Sequence, residues 1–450
     1  MRKFFRFLCG TLCALVVLVA LVAGSLSLAC ASVQPEDLLK DPSPEEWAAL
    51  SKFEGRLTRA QFEERLKAIF DPFGALQPFL KITDESVEIF SSSKQEGRVA
   101  QVPFAATDQP APAAASSPSP RSNSFTPLHS LLHPGAPLPL AGLKVALDPA
   151  DIGGSWGPME NRSSYYRGYG RIQEGDLNLL VSILLAERLR QLGAEVVVTR
   201  DSTEPVCEAS VPEVAKIVPS VLSDRPYILA GTFRSRTRNI RKSSPIYERI
   251  VAEVLLTKNL EARARAEKVR SSMKPDLTIV LQFDASPASR RHKLTTINRN
   301  ILFVEGAYTA SELGKDPRQR YRLLTKLLQD VTPTETRAAI AIAGRLNEAT
   351  GFPPVGYGDS KTTRAIEGSP YVVARNLLLP REHEGPVVVT EPYFMNEAVT
   401  LQRLLAGDFE GTKDVGGKPL SSIYREYADA VANGLLDAFG PASPGRPDKP

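Results

Sequence analysis

From Leu143 onward, short apolar runs alternate with longer amphipathic segments, and this alternation constrains the fold more than any other feature of the sequence. The apolar runs have the length of buried strands, and the segments between them have helical spacing. In chain order they are the strand LKVALDP, the helix DLNLLVSILLAERLRQLG, the strand AEVVVTRD, the helix NLEARARAEKVRSS, the strand DLTIVLQFD, the helix TRAAIAIAGRLNEATG and the strand GPVVVTEPYF. Strands separated by helices predict a twisted, mostly parallel α/β sheet with helices on both faces.

Residues 202–256 interrupt this order and carry a local basic cluster. The cluster consists of Arg234, Arg236, Arg238, Arg241 and Lys242. A solvated loop is one interpretation, and a docking patch for an anionic polymer is the other. The whole chain has 55 Lys and Arg against 51 Asp and Glu, which argues against a general nucleic-acid binder.

The N-terminus has the pattern of an export signal. A basic stretch, MRKFFR, precedes an almost unbroken apolar run to Leu28, and the small residues ACAS follow. This predicts a signal peptide over residues 1–31, cleaved after Ala31, or an uncleaved membrane anchor, because the run is long enough to span a bilayer. Lipidation of Cys30 is a third alternative. In each case we expect the remainder in the periplasm or cell envelope, with membrane contact only through this segment.

Residues 32–104 predict a small α+β module. Ser43 and Thr58 each stand where a helix N-cap is expected, and FLKITDESVEIF alternates like a pair of strands. No recognisable chemistry accompanies these elements. At the other end of the chain, residues 438–450 are rich in proline and predict a disordered tail.

Cysteine and histidine offer little metal chemistry before the α/β part. Residues 105–140 are dominated by Pro, Ala and Ser and predict a linker, within which His129 and His133 have the spacing of a helical metal pair. The surrounding prolines argue against that helix. Cys207 is the only cysteine beyond the N-terminal segment, so we expect a structural thiol and neither a disulfide framework nor a cysteine zinc cluster.

Five blocks, in order, resemble the zinc-dependent N-acetylmuramoyl-L-alanine amidases, which are cell-wall hydrolases that cut between muramic acid and the stem peptide. LKVALDP resembles the opening strand, which in the family runs into Gly-His-Gly-Gly. QEGDLNLLVSILLAERLRQLGAEVVVTRD resembles the block that begins with a zinc-binding Glu, and LEARARAEKV resembles the Leu-Glu-x-Arg helix. DLTIVLQFDAS and PVVVTEPYFMNE resemble the strands that carry the second zinc-binding His and the catalytic Glu. The resemblance implies an amidase-like domain over residues 141–437, with 202–256 as an insertion.

The resemblance also implies a zinc site in which two of three ligand positions are changed. Asp151 stands where the family has its first His, or Ile152 does if the turn is one residue longer. Glu174 matches the second ligand, Gln282 stands at the second His, and Glu391 matches the catalytic Glu. Zinc favours imidazole ligands, and an all-oxygen set suits Mg, Mn or Ca better. We therefore expect zinc to bind weakly or not at all.

Two further histidines are candidate replacement ligands. His292 follows Gln282 by ten positions, and His383 precedes Glu391 by eight, so both are expected in loops near the strand ends. The acids have ordinary explanations too, since the helix dipole favours Glu174 at a helix start. If Asp151 and the two glutamates do lie together, one pKa should rise unless a metal ion, Arg or Lys compensates the charge.

Three functions are consistent with these features. The first is a catalytically silent amidase relative in the cell envelope that binds peptidoglycan or a partner protein. The second is a divergent amidase that still cleaves the muramic acid–L-alanine bond with an altered metal. The third is a scaffold in which the N-terminal module and the insertion at 202–256 perform the function. The first is favoured because both histidines are replaced within a well-kept set of motifs, although fold resemblance by itself cannot establish catalysis.

Overall fold

The computed structural model describes residues 33–106, 137–229, 236–242, 244–286 and 293–441. The predicted signal segment, His129 and His133, Arg234, His292 and most of the predicted tail lie outside these ranges. Within them, none of the helices has both the length and the apolar character needed to cross a bilayer.

The described residues form fourteen strands and thirteen α-helices. The strands are β1 (Leu80–Ile82), β2 (Ser86–Phe90), β3 (Arg98–Pro103), β4 (Lys144–Pro149), β5 (Ser163–Tyr166), β6 (Gly170–Gln173), β7 (Glu195–Val198), β8 (Leu277–Leu281), β9 (Asn300–Val304), β10 (Arg364–Ala365), β11 (Val372–Ala374), β12 (Val387–Pro392), β13 (Thr412–Val415) and β14 (Lys418–Ser421). The helices are α1 (Pro44–Ala48), α2 (Arg59–Arg65), α3 (Glu174–Gln191), α4 (Val211–Ala215), α5 (Val218–Asp224), α6 (Pro245–Val254), α7 (Glu261–Ser272), α8 (Ala310–Lys315), α9 (Pro317–Gln329), α10 (Thr332–Thr350), α11 (Leu378–Glu382), α12 (Ala398–Leu405) and α13 (Ile423–Phe439). A π-helical segment, Leu255–Leu260, joins α6 to α7.

Seven strands form the central sheet in the order β10-β11-β9-β12-β8-β4-β7. Strands β7, β4, β8 and β12 run parallel to one another, which confirms the predicted mostly parallel α/β sheet. Strand β9 runs antiparallel to β12, and β11 pairs with β9 in parallel. The sequence did not predict this reversal. All five residues of β9 are buried, and a strand buried on both faces has the same apolar pattern in either direction.

Helices cover both faces of the sheet, as predicted. On one face, α3, α10 and α13 pack against the alternate strand residues that point toward them, including Leu147 and Ile279. On the other face, Val280, Phe303 and Val389 pack with Leu377 and Leu379, beside α11 and α7. The second face matters for function, because residues two positions further along β8 and β12 lie on the same side of the sheet.

The segment before the linker has the predicted helix caps. The hydroxyl oxygen of Ser43 accepts a hydrogen bond from the Glu46 amide at 3.2 Å, and that of Thr58 accepts one from the Gln61 amide at 3.2 Å. Strands β1, β2 and β3 form an antiparallel sheet, of which the sequence indicated only the first pair. Buried residues of this segment, among them Phe62, share a hydrophobic core with helix α9.

The described residues of 202–256 are largely helical and contribute α4, α5 and α6 to a hydrophobic cluster. Cys207 is a buried free thiol in this cluster, and burial raises its pKa to about 11, as suits a structural cysteine. Within the basic cluster, Arg236 pairs with Glu253 and donates to the Met159 carbonyl oxygen at 2.8 Å. The described remainder of that cluster, Arg238, Arg241 and Lys242, is exposed.

Candidate functional site

The turn after β4 holds Asp151 in a fixed conformation. Asp151 has φ +58°, in the left-handed region, which Asp enters more readily than most residues. Side chains from two helices bind the carbonyl groups of the turn. The Asn178 amide donates to Ala150 O at 2.7 Å, and the Arg265 guanidinium donates to Pro149 O at 2.8 Å and to Asp151 O at 3.0 Å.

Two glycines bring the start of α3 against this turn. Gly153 has φ +84°, and a Cβ atom there would lie 2.3 Å from the Asp176 Oδ1 atom. A Cβ atom on Gly175 would lie 2.3 Å from the backbone nitrogen of Gly153. Because neither residue has a side chain, the two backbones can touch, and any other residue at either position would prevent this contact. This contact places Glu174, the first residue of α3, beside the turn that carries Asp151.

Protein cations lie between the acids at the family's ligand positions. Lys258 Nζ is 2.6 Å from Asp151 Oδ1 and 3.8 Å from Glu160 Oε1. Arg162 Nε is 3.4 Å from Asp151 Oδ1, and Arg162 Nη1 is 3.0 Å from Glu174 Oε2. Asp151 and Glu174 are therefore brought together, as the sequence predicts, but around an ammonium and a guanidinium group. None of the five motif blocks contains Lys258, Glu160 or Arg162, so the sequence did not indicate them.

The charges of this cluster stabilise one another. Burial would raise the pKa of Asp151, but the positive charges of Lys258 and Arg162 outweigh it and hold that pKa well below its usual value. The negative charges of Glu174 and Asp151 in turn raise the pKa of Arg162 above its usual value. The neighbouring cations thus favour the ionised form of Asp151.

Glu391, near the end of β12, has a different environment. It is buried, and within the described part of the chain its carboxyl group makes no hydrogen bond or ion pair. Burial and the negative charge of Asp284 raise the pKa of Glu391 well above its usual value, against the opposing charges of Arg162 and Arg375. Burial also raises the pKa of Glu160, so two acids of the cluster have raised pKa values, while cations lower the pKa of Asp151.

Gln282 and His383 occupy unlike positions. Gln282 lines the same cavity as Glu391, and its backbone amide donates to the Thr390 carbonyl oxygen at 3.0 Å. His383 precedes β12, is fully buried, and has its Nε2 atom 2.8 Å from Asp148 Oδ2. His383 does not line the cavity, so the structure does not bring this candidate replacement ligand to the other site residues.

The site residues surround a cavity of about 190 Å³ on the face of the sheet beside α7 and α11. We call its charged and polar lining residues the polar wall and its apolar lining residues the apolar wall. The polar wall includes Asp151, Glu160, Arg162, Lys258, Gln282 and Glu391. The apolar wall includes Ala262, Val280, Leu377, Leu378, Leu379, Pro380 and Val389. The side chain of Arg162 is 30% exposed, so the polar wall reaches solvent.

The residues present do not fit the zinc site that the family resemblance implies. Among the described residues, no group of three or more His, Cys, Asp or Glu side chains is arranged to hold a metal ion. Asp151 and Glu174 already pair with Lys258 and Arg162, whose positive charges would repel a dication. Gln282 adds only a neutral amide, which is a poor zinc ligand.

Comparisons with known proteins add structural neighbours. No family model and no curated protein matches the sequence. Cwp6 from Clostridium difficile aligns with 66% of this chain at 15% identity and a TM-score of 0.31, and the aligned part spans only 29% of Cwp6. The CwlD amidase from Clostridioides difficile, solved in complex with the GerS lipoprotein, aligns at 11% identity and a TM-score of 0.33, covering 65% of this chain and 96% of CwlD.

The N-acetylmuramyl-L-alanine amidase Ami1 from Mycobacterium smegmatis aligns at 15% identity and a TM-score of 0.31, covering 66% of this chain and 95% of Ami1. Similarity at this level establishes nothing about activity. In the order of its sequence motifs and in its mostly parallel sheet, the chain is similar to the N-acetylmuramoyl-L-alanine amidases.

Proposed function

We propose that this chain is an exported cell-envelope protein that binds peptidoglycan through an amidase-type site and does not hydrolyse it. The observation that supports this proposal is the pairing of Lys258 and Arg162 with Asp151 and Glu174. In this pairing, protein cations neutralise the acids that would otherwise attract a metal ion.

The chemistry of metal-assisted hydrolysis explains why the pairing matters. A catalytic metal polarises the carbonyl group and lowers the pKa of a water molecule so that a nearby carboxylate can deprotonate it. An ammonium or guanidinium group can donate hydrogen bonds, but it cannot supply a hydroxide nucleophile in this way. A general base must also be ionised, and burial and the negative charge of Asp284 raise the pKa of Glu391 well above its usual value, which disfavours the ionised form.

The same site retains features suited to binding. The cavity has a polar wall with hydrogen-bonding groups and an apolar wall, a combination typical of small-ligand sites. The cavity lies between the turn after β4 and the ends of β8 and β12, where the sequence resemblance implies the family's zinc site. An envelope protein is the alternative partner, and the binding experiment below separates the two.

Sedimentation with purified peptidoglycan tests the proposal. The full-length protein should sediment with peptidoglycan and release no stem peptide, whether or not zinc is added. Leu378→Trp, which fills the cavity from its apolar wall, should weaken sedimentation. Val399→Trp, at an exposed position of α12, is the matched control and should not. Since the chain has a net charge of +4, sedimentation that disappears at moderate salt in all variants would be nonspecific attraction and would contradict the proposal.

Two other results would also contradict it. Release of stem peptide by the wild type, lost on Glu391→Ala, would show a divergent amidase with an altered site. Absence of sedimentation at low salt would leave the envelope-protein partner as the better explanation.

A further inference from the structure

Two buried oxygen atoms at the cavity accept no hydrogen bond from any described residue. They are Asp151 Oδ2 and Glu160 Oε1, on side chains that are 6% and 0% exposed. Both side chains line the cavity, and the nearest cation to the Glu160 oxygen is Lys258 Nζ at 3.8 Å. Buried carboxylate oxygens without donors are costly to a fold. A ligand that carries donors into the cavity would satisfy both.

The charges around the cavity favour a cationic ligand. Its lining includes four acids and three bases. Of the bases, Arg265 pairs with Glu261, while Lys258 and Arg162 pair with Asp151 and Glu174. The acids are Asp151, Glu160, Glu261 and Glu391. Among the described residues, Glu160 and Glu391 are left without a strong ion pair of their own. Burial raises the pKa of both carboxyl groups, and a further positive charge beside them would favour their ionised forms.

The chemistry of the cavity selects an organic ammonium among cations. Among the described residues, no three His, Cys, Asp or Glu side chains are arranged to hold a metal ion, and Lys258 and Arg162 would repel a dication more strongly than a single charge. A primary ammonium group donates three hydrogen bonds. Asp151, Glu160 and Glu391 provide an acceptor each on the polar wall. The apolar wall, which includes leucine, proline and valine side chains, suits a short alkyl chain.

We propose that the cavity binds a primary ammonium group on a short aliphatic chain. At about 190 Å³ the cavity is smaller than typical ligand pockets, which limits the chain to a few carbon atoms. The ammonium has two sources: a free small amine, or the side-chain amine of an amino acid in a peptide. The second source rests on the proposed function, because a stem peptide would supply it.

Isothermal titration of the full-length protein with n-butylammonium chloride tests the proposal. We expect butylammonium to bind saturably, and we expect the affinities for sodium butyrate and for 1-butanol to be at least tenfold weaker. Glu160→Gln should weaken butylammonium binding at least tenfold. The glutamine oxygen can still accept the Ile152 and Gly153 amides that Glu160 binds at 2.8 and 3.2 Å, so the turn is retained. Glu187→Gln, at an exposed position of α3, is the matched control and should bind as the wild type does.

A second variant keeps the test decisive if Glu160→Gln fails to fold. Glu391→Gln removes the other acid that has no ion pair, and it should weaken binding in the same way. Equal binding of butanol and butylammonium, or unchanged binding in the variant that folds, would overturn the proposal. Titration with Nα-acetyl-lysine methylamide and with its Nε-acetylated form then distinguishes the two sources. If the source is a peptide, the protein binds the form with the free side-chain amine more tightly. If the source is a free small amine, the protein shows no such preference.

The outcome is separable from that of the proposed function. Butylammonium binding without peptidoglycan sedimentation would support this site and contradict the proposed function. Sedimentation without butylammonium binding would do the reverse.

Discussion

Lys258 and Asp151 form a 2.6 Å ion pair although they are 107 positions apart in the sequence. Asp151 follows the first strand of the α/β part. Lys258 lies in the π-helical segment Leu255–Leu260, two positions after the end of residues 202–256. The pair thus connects the end of the predicted insertion to the turn where the sequence resemblance implies the first zinc-ligand position. Its energetic weight is directly measurable.

Replacing Lys258 should destabilise the protein. Lys258→Met leaves a buried carboxylate without its nearest cation, and we expect the free energy of unfolding to fall by about 2–4 kcal/mol. This is less than for a fully buried pair, because the Lys258 side chain is 16% exposed. Urea denaturation measures the change. Lys67→Met, at an exposed position, is the control and should change stability by less than about 0.5 kcal/mol.

The double variant Lys258→Met with Asp151→Asn should recover part of that loss, since it removes both charges. The pair also predicts a pH dependence. The pKa of Asp151 is lowered in the folded state, so its contribution is present above about pH 4, its unfolded pKa, and is lost as pH falls toward the folded value. Lys258→Met should lessen this loss. A double variant no more stable than Lys258→Met would contradict the account.

Arg265 should be irreplaceable by lysine. Its guanidinium contacts Glu261 at 2.7 Å and Asp148 at 3.2 Å, and it donates to two carbonyl groups of the turn after β4. Lysine lacks the planar fork that makes these contacts together. We expect Arg265→Lys to lower the free energy of unfolding by about 2–4 kcal/mol. Arg270→Lys, on the same helix with a side chain 56% exposed, should cost less than about 0.5 kcal/mol; equal losses would refute the role of the fork.

A methyl group at Gly153 should separate the turn from α3. Gly153→Ala imposes both an unfavourable φ and a clash with Asp176, so we expect a loss of about 3 kcal/mol or more in thermal or urea unfolding. Gly356→Ala serves as the control, because Gly356 has φ +76° but open space around its Cβ position. It should lose only about 1–2 kcal/mol. Similar losses at the two glycines would show that the close approach contributes nothing.

The export prediction is tested by a topology reporter. If residues 1–31 are an export signal, a reporter fused after Gly440 is carried across the cytoplasmic membrane. Its activity should then be found outside that membrane and not in the cytoplasm. Deletion of residues 1–31 is the control and should abolish that activity. Cytoplasmic activity of the intact fusion would contradict both the export signal and a role at the cell wall.

The sequence predicted the parallel strands and main helices because their apolar periodicity is local. Helix α3 was expected from Asp176 and begins two residues earlier, at Glu174. Strand β9 was not among the strands predicted from the sequence, and a fully buried run such as this one carries no signal of its direction. The resemblance of the five motif blocks to the amidase family led us to expect Asp151, Glu174 and Glu391 close together. Their compensation by Lys258 and Arg162 was not expected, since neither residue belongs to a motif and both reach the site through tertiary folding.

His383 shows the same limit. Its distance from Glu391 along the chain suggested a ligand, yet the folded chain pairs it with Asp148. In the folded chain the buried Asp148 carboxylate contacts Arg265, Thr199 and His383. The spacing of these residues in the sequence does not reveal this arrangement.

The metal content of the purified wild-type protein after dialysis against a chelator tests the central claim most directly. We predict well below one zinc per chain, because Lys258 and Arg162 already pair with the acids at the ligand positions. The triple variant Asp151→His, Gln282→His, Lys258→Met rebuilds a His, Glu, His set around Glu174 and should gain zinc, whereas Lys67→Met should not. No gain would mean that Asp151 or Gln282 does not occupy a ligand position. One tightly held zinc per wild-type chain would contradict the account.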